Sequence, residues 1–163
     1  MKILSMKTTI FLGAMLSLLV CLMFTGCSNS ETNSTSRGLT DFAHIEEEYL
    51  ATIDSLNWPD GITLPDKLED EDTGASFQVG YGETRASYLW EYSWMKEWLD
   101  TYNTDPERAE KALEELEKAF DMPYMGIDRC DDATRNYLRE NIDKAKLSDP
   151  SGFTESIRAN YAN

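Results

Sequence analysis

Cysteine and histidine are scarce in this chain, with three of the first and one of the second among 163 residues. Cys21 falls in the N-terminal apolar stretch and Cys27 directly after it, at its expected processing site. Once that stretch is set aside, Cys130 stands alone as a free thiol and an intrachain disulfide is excluded. The fold has to rest on an apolar core. His44 is the single histidine and sits beside three glutamates, so it has no histidine or cysteine partner for a metal and activates no serine or cysteine in view. It reads as a solvated helix residue. Basic residues are also few: 15 Lys and Arg face 30 Asp and Glu, for a formal charge of −15. Such a chain is repelled by nucleic acid and by anionic headgroups, which argues against either as a partner and in favour of a basic patch on a protein partner. Phosphate loops are missing too. Gly80-Tyr81-Gly82 lacks the lysine-serine pair or third glycine that a phosphate site needs, and no cofactor or metal is expected.

One long apolar run is present, at the N-terminus. Lys2 and Lys7 precede an uncharged stretch from Thr8 to Gly26 rich in Leu, Ile, Val, Met and Phe, the pattern of a secretory leader. Its end, Phe24-Thr25-Gly26-Cys27-Ser28, resembles the lipobox of bacterial lipoproteins. That resemblance covers the leader alone and implies cleavage before Cys27, a lipid thioether on its sulfur, and attachment to the outer face of the cell membrane. Phe24 departs from the usual Leu of the motif. The alternative is an uncleaved anchor, for which Thr8 to Phe24 is slightly short of the roughly 20 residues a span needs. Either way the basic start places the rest outside. Cys21 is a poorer candidate because Val20 before it is bulky. Losing residues 1–26 removes two lysines and no acid, so the charge becomes −17.

Residues 27–38 then form an acylated cysteine and a flexible tether of Ser, Asn, Thr, Glu, Arg and Gly, and residues 39–163 an acidic helical domain with one core. Phe42, Ile45, Tyr49, Ile53 and Leu56 fall at helical spacing behind a cap at Thr40 or Asp41. Trp58-Pro59-Asp60-Gly61 is a turn. Ile62 to Ala75 reads as a loop over the core, with Trp58, Ile62, Leu64 and Leu68 tucked in. Its acidic run, residues 69–72, lacks the ligand alternation of an EF-hand and is expected to be solvated. Ser76 to Gly82 is a short extended segment with no obvious partner strand.

The central element is a helix over residues 83–102, which holds three of the four tryptophans. At helical pitch Trp90, Trp94 and Trp98 form one ridge, and Tyr88, Tyr92, Met95, Leu99 and Tyr102 the next. Ser93, Lys96, Glu97 and Asp100 remain for a narrow wet edge. A hairpin partner begins at Asp105-Pro106-Glu107 and runs on Ala109, Ala112, Leu113, Leu116, Ala119 and Phe120 until Pro123. A loop through Tyr124 leads to a fourth helix, about 131–147, with Thr134, Tyr137, Leu138, Asn141, Ile142 and Ala145 on one side. Ser148-Asp149-Pro150 starts a last helix carrying Phe153, Ile157 and Tyr161. The fold class is therefore all-α, a single-domain bundle of four to five helices.

Phe77-Gln78, the two glycines and the aromatic helix from Tyr88 to Leu99 resemble a set of small, uncharacterised secreted or membrane-anchored proteins of Gram-positive bacteria, over roughly residues 77–162. This resemblance implies no activity. It implies a cysteine near position 92 and another at the C-terminus, where this chain has Tyr92 and Tyr161, and hence that the two lie side by side.

Among polar residues Glu91 is the most informative, because helical geometry puts it inside the aromatic arc, where a bare carboxylate is costly to desolvate. It is expected to be buried and to take a hydrogen bond from Tyr, Trp or an arginine of the fourth helix, Arg135 or Arg139, or else to line a groove and receive a ligand's donor. The tryptophan ridge is expected to be core, with Trp58 nearest the surface. Glu91, Trp58 and Trp94 are the candidate ligand or partner contacts, and no catalytic residue stands out. Function reads as a lipid-anchored, non-catalytic binding or interaction module whose partner is a protein or an envelope component. The alternative is a small cell-wall hydrolase or lyase using paired carboxylates.

Overall fold

The computed structural model describes residues 38–69 and 71–161. The expected leader 1–26, the lipidated Cys27 and the tether up to 37 lie outside the described residues, as do Asp70, Ala162 and Asn163. Five helices and a minimal sheet make up the described chain, an all-α bundle. Among the described residues no helix is long and apolar enough to cross a membrane.

Helix α1, Phe42–Ser55, starts where Asp41 accepts the amide of His44 at 3.1 Å, which satisfies one orphan donor of the first turn. Ile45, Tyr49 and Ile53 are its buried stripe. Just beyond its end, Trp58 Nε1 donates to the Ile53 carbonyl at 2.9 Å, and the half-buried indole bridges the two halves of the core. The extended segment before the central helix does find a partner. Strand β2, Phe77–Gln78, pairs antiparallel with β1, Leu39–Thr40, and Val79 N donates to the Gly38 carbonyl at 3.1 Å, so the ladder reaches back into the last residue assigned to the tether.

Helix α2, Tyr81–Thr101, begins two residues earlier than expected, after Gly80 at φ +88°. Trp90, Trp94 and Trp98 are at most 2% exposed, and Trp90 and Trp94 both donate their indole N–H to the Asn57 carbonyl at 2.8 and 3.1 Å. These buried donors are thereby paired. The adjoining ridge is covered less fully than its periodicity implies: Met95 is buried, Tyr92, Leu99 and Tyr102 are half-buried, and Tyr88 is 41% exposed. Ser93, expected on the wet edge, is buried. Its hydroxyl bonds the Leu89 carbonyl at 2.7 Å, as Ser87 does Glu83 and Thr101 does Glu97, so short polar residues become small neutral packing surface. At the other end of the helix Gly82 lies against α1, where a Cβ would come within 1.8 Å of the Ile45 carbonyl. Only glycine permits that crossing.

Helix α3, Pro106–Glu117, is capped by Asp105 and packs on α2 through Ala109, Ala112 and Leu116, with Arg108 gripping both oxygens of Glu97. The helix ends before the expected stop, its last residues Lys118–Asp121 tightening into a 3-10 turn that buries Ala119, and the segment read as a loop is wound into a second 3-10 turn, Pro123–Met125, which buries Tyr124 and Met125. Helix α4, Asp132–Lys146, buries Leu138, Asn141, Ile142 and Ala145, whereas Thr134 and Tyr137, expected on the same side, are exposed. Helix α5, Ser151–Asn160, starts one residue after the expected Asp-cap and Pro-first pattern, with Pro150 in the cap position, while Asp149 accepts the Ser151 amide at 2.9 Å. Phe153 meets Trp98 edge-on at 5.3 Å. The terminal Tyr161 lies against Tyr92, ring centroids 4.8 Å apart, and donates to the Tyr88 carbonyl, which is the adjacency expected from the sequence.

Candidate functional site: a tyrosine-walled groove over Glu91

Glu91 faces inward from the middle of α2 and is 8% exposed. Tyr124 donates its hydroxyl to Glu91 Oε2 at 2.8 Å. The arginine partners expected from α4 are elsewhere. Arg135 turns to the carbonyls of Met125 and Cys130 and to Asp132, and Arg139 lies over the Phe120 ring at 4.7 Å. Arg135 is held by groups next to the start of α4 and Arg139 by Asn136 and the Phe120 ring of the turn after α3, and neither donates to the carboxylate. The second oxygen, Oε1, accepts no hydrogen bond from the protein among the described residues.

Above Glu91 a groove of about 840 Å³ opens between the loop after α1 and helices α2, α4 and α5. Tyr88, Tyr137 and Tyr161 wall it, and Leu68, Met125 and Leu138 contribute apolar lining. Lys67, Glu69 and Arg85 stand around it, with Lys67 paired to Glu69 at 3.0 Å and Arg85 to Glu71 at 3.4 Å. Burial pushes the Glu91 carboxyl up to about 7, and the Tyr124 hydroxyl opposes the shift only in part. The same burial, with Glu91 close by, raises Tyr88, Tyr124 and Tyr161 above the ordinary tyrosine value. Those hydroxyls stay neutral around a carboxyl that titrates near neutrality.

Of the expected contact residues the groove contains Glu91 alone. Trp94 is 1% exposed in the core, and Trp58 is half-buried with its N–H spent on Ile53; neither lines the groove. Cys27 lies outside the described residues. Periodicity places the groove's tyrosines on buried helix faces, and Tyr124 reads as part of a loop. Pro123 was the available signal for Tyr124, since a proline that ends one helix also presets the first position of a new turn.

The backbone amides of the glycine pair do meet an anion, and it belongs to the chain itself. Gly80 N and Gly82 N donate to the two oxygens of Glu48 at 2.7 and 3.2 Å, and His44 Nε2 is 3.3 Å from the same carboxylate. His44 is thus an exposed helix residue with a carboxylate neighbour. Glu71, expected to be solvated with its acidic loop, is turned inward and accepts the Tyr81 hydroxyl at 2.8 Å. Among the described residues no group of three His, Cys, Asp or Glu side chains is placed to hold a metal ion. Comparison of the chain with protein-family models, with curated proteins and with solved structures gives no match, so the groove and its chemistry carry the functional reading.

Proposed function

We propose that the protein is a non-catalytic binding module held by a lipid on Cys27 at the outer face of the cell membrane, with the groove over Glu91 as its binding site. The anchor is supported by the basic start, the apolar run and the Thr25-Gly26 pair before Cys27. The observation that carries the binding reading is a buried carboxylate with one oxygen satisfied by Tyr124 and the other open toward a concave, partly apolar surface. A carboxyl near 7 also suits a general acid, but acid–base hydrolysis needs a second carboxylate facing it. The other acid of the groove, Glu69, is solvent-exposed and paired with Lys67 at 3.0 Å. Binding is the better-supported reading.

Two experiments test it. Cys27→Ala abolishes palmitate labelling and membrane retention; labelling that survives Cys27→Ala and is lost in Cys21→Ala contradicts the anchor. For the groove, a photo-crosslinking amino acid is placed at Tyr137, on the wall, or at Ile127, exposed outside it. In cells, adducts are expected from position 137 and not from 127, and equal yields from both positions overturn the assignment.

A further inference from the structure

We infer that the groove admits an alkylammonium group on an apolar stem, and that Glu91 receives the ammonium at the groove floor; this rests on the binding reading above. The floor offers an accessible acceptor, since Oε1 carries no protein hydrogen bond among the described residues and no fully buried side-chain oxygen there lacks a partner. Glu91 is enclosed by α2, the Pro123–Met125 turn and α5, yet it has one protein hydrogen bond among the described residues and lines the groove. Among the described residues the cations near the groove bond elsewhere: Lys67 pairs with Glu69, Arg85 with Glu71, and Arg135 with backbone carbonyls and Asp132. A ligand hydroxyl would supply a hydrogen bond and leave the desolvated charge uncompensated. An ammonium supplies both, in the charge-assisted form that is about twice as strong.

The walls fit the same chemistry. Tyr88, Tyr137 and Tyr161 offer aromatic faces and hydroxyls, both of which accommodate an ammonium, and Leu68, Leu89, Met125 and Leu138 take the stem. A carboxylate ligand would meet Glu91 head-on. The overall acidity of the chain, −15 before any processing, draws cations toward it.

The charged and titratable groups around Glu91 come from each element packed there. Tyr88 on α2, Tyr124 on the turn, Cys130 before α4 and Tyr161 on α5 are all raised above their ordinary values, and so is Lys67 on the loop. Glu69 and Arg85 complete the groove's charges. Glu91, at about 7, is therefore the group whose ionisation controls ammonium uptake near neutrality. An ammonium binds the ionised form, so affinity is full above the Glu91 value and falls below it.

The test is calorimetric titration of the full chain, in non-ionic detergent, with hexylamine, hexanol and hexanoate. At pH 8 hexylamine is expected to bind about tenfold more tightly than hexanol, and hexanoate most weakly. In Glu91→Gln, which keeps an acceptor for Tyr124, the preference of amine over alcohol disappears. Should that variant not fold, the wild-type pH profile decides: between pH 8 and pH 6 hexylamine binding weakens about tenfold while hexanol binding stays level. Acetyl-lysine methylamide, acetylated at its α-nitrogen, separates the sources: binding tighter than that of hexylamine points to a peptide's lysine, and weaker binding to a free amine. If hexanol matches hexylamine, or hexanoate exceeds it, the ammonium assignment is overturned and the groove remains a binding site for another chemistry. If none of the probes binds, the assignment is overturned as well, and the crosslinking at Tyr137 then decides independently whether the groove binds anything.

Discussion

The two halves of helix α2 are held in place by different means. Its C-terminal half is fixed mainly by area: Trp90, Trp94 and Trp98 are almost wholly enclosed by α3, α4, α5, their connections and the segment after α1, whose Asn57 carbonyl takes two of the indole N–H groups. In the N-terminal half Gly82 and Ala86 bring the helix backbone close to the Ile45, Tyr49 and Ile53 stripe of α1, and carboxylate bonds to distant positions add to the hold. Glu48 takes the amides of Gly80 and Gly82, Glu71 takes the Tyr81 hydroxyl, and Glu83 takes Arg129 at 2.6 Å. Close helix approach leaves α2 itself little side-chain area at Gly82 and Ala86, so directional polar bonds add to the burial of the α1 stripe in setting the position. Glu91 sits where one regime gives way to the other, and the groove opens at that junction.

That contrast can be broken most forcefully at Trp98, which stacks on Tyr102 and meets Phe153 edge-on. Trp98→Ala should cost about 4 kcal/mol in a chemical denaturation experiment, the scale of a large aromatic removed from a packed core. A loss of less than about 1 kcal/mol would mean that area does not hold this half. At the junction, the effect is on pH dependence. Because the folded-state carboxyl of Glu91 lies at about 7 and its ordinary value is 4.5, the folded form binds the proton more tightly. Its contribution is fully present below about 4.5 and is lost as pH rises through 7, an order of 3 kcal/mol in total. Glu91→Gln should therefore gain stability relative to wild type at pH 8 and not at pH 4. At the polar end, Glu48→Gln keeps the size of the side chain and removes the charge from two amide bonds, for a cost of about 2 kcal/mol. Amide exchange should rise at Gly80 and Gly82 in that variant while the tryptophan half stays protected.

The apolar half of this picture was legible in the sequence and the polar half was not. The tryptophan ridge, the caps at Asp41 and Asp105 and the Tyr92–Tyr161 contact follow from periodicity, start signals and the resemblance. Burial of Glu91 followed from its place in the aromatic arc. A tyrosine partner was among those expected, but which one was not legible, because Tyr124 lies 33 residues away beyond a proline that reads as a stop. Glu48 and the glycine amides are separated by more than 30 residues and leave no local pattern. Ser87 and Ser93 hide for a different reason: each satisfies its hydroxyl on its own helix and so packs as a small residue while still reading as polar.

A 13C NMR titration of the glutamate side-chain carboxyls in the full chain, with the Glu91 signal identified by its absence in Glu91→Gln, observes the central group itself. A midpoint near 7 is expected, since burial outweighs the single Tyr124 bond. A midpoint in the ordinary glutamate range, about 4.3, would show Glu91 to be solvated. The groove would then have no buried carboxylate to offer a ligand.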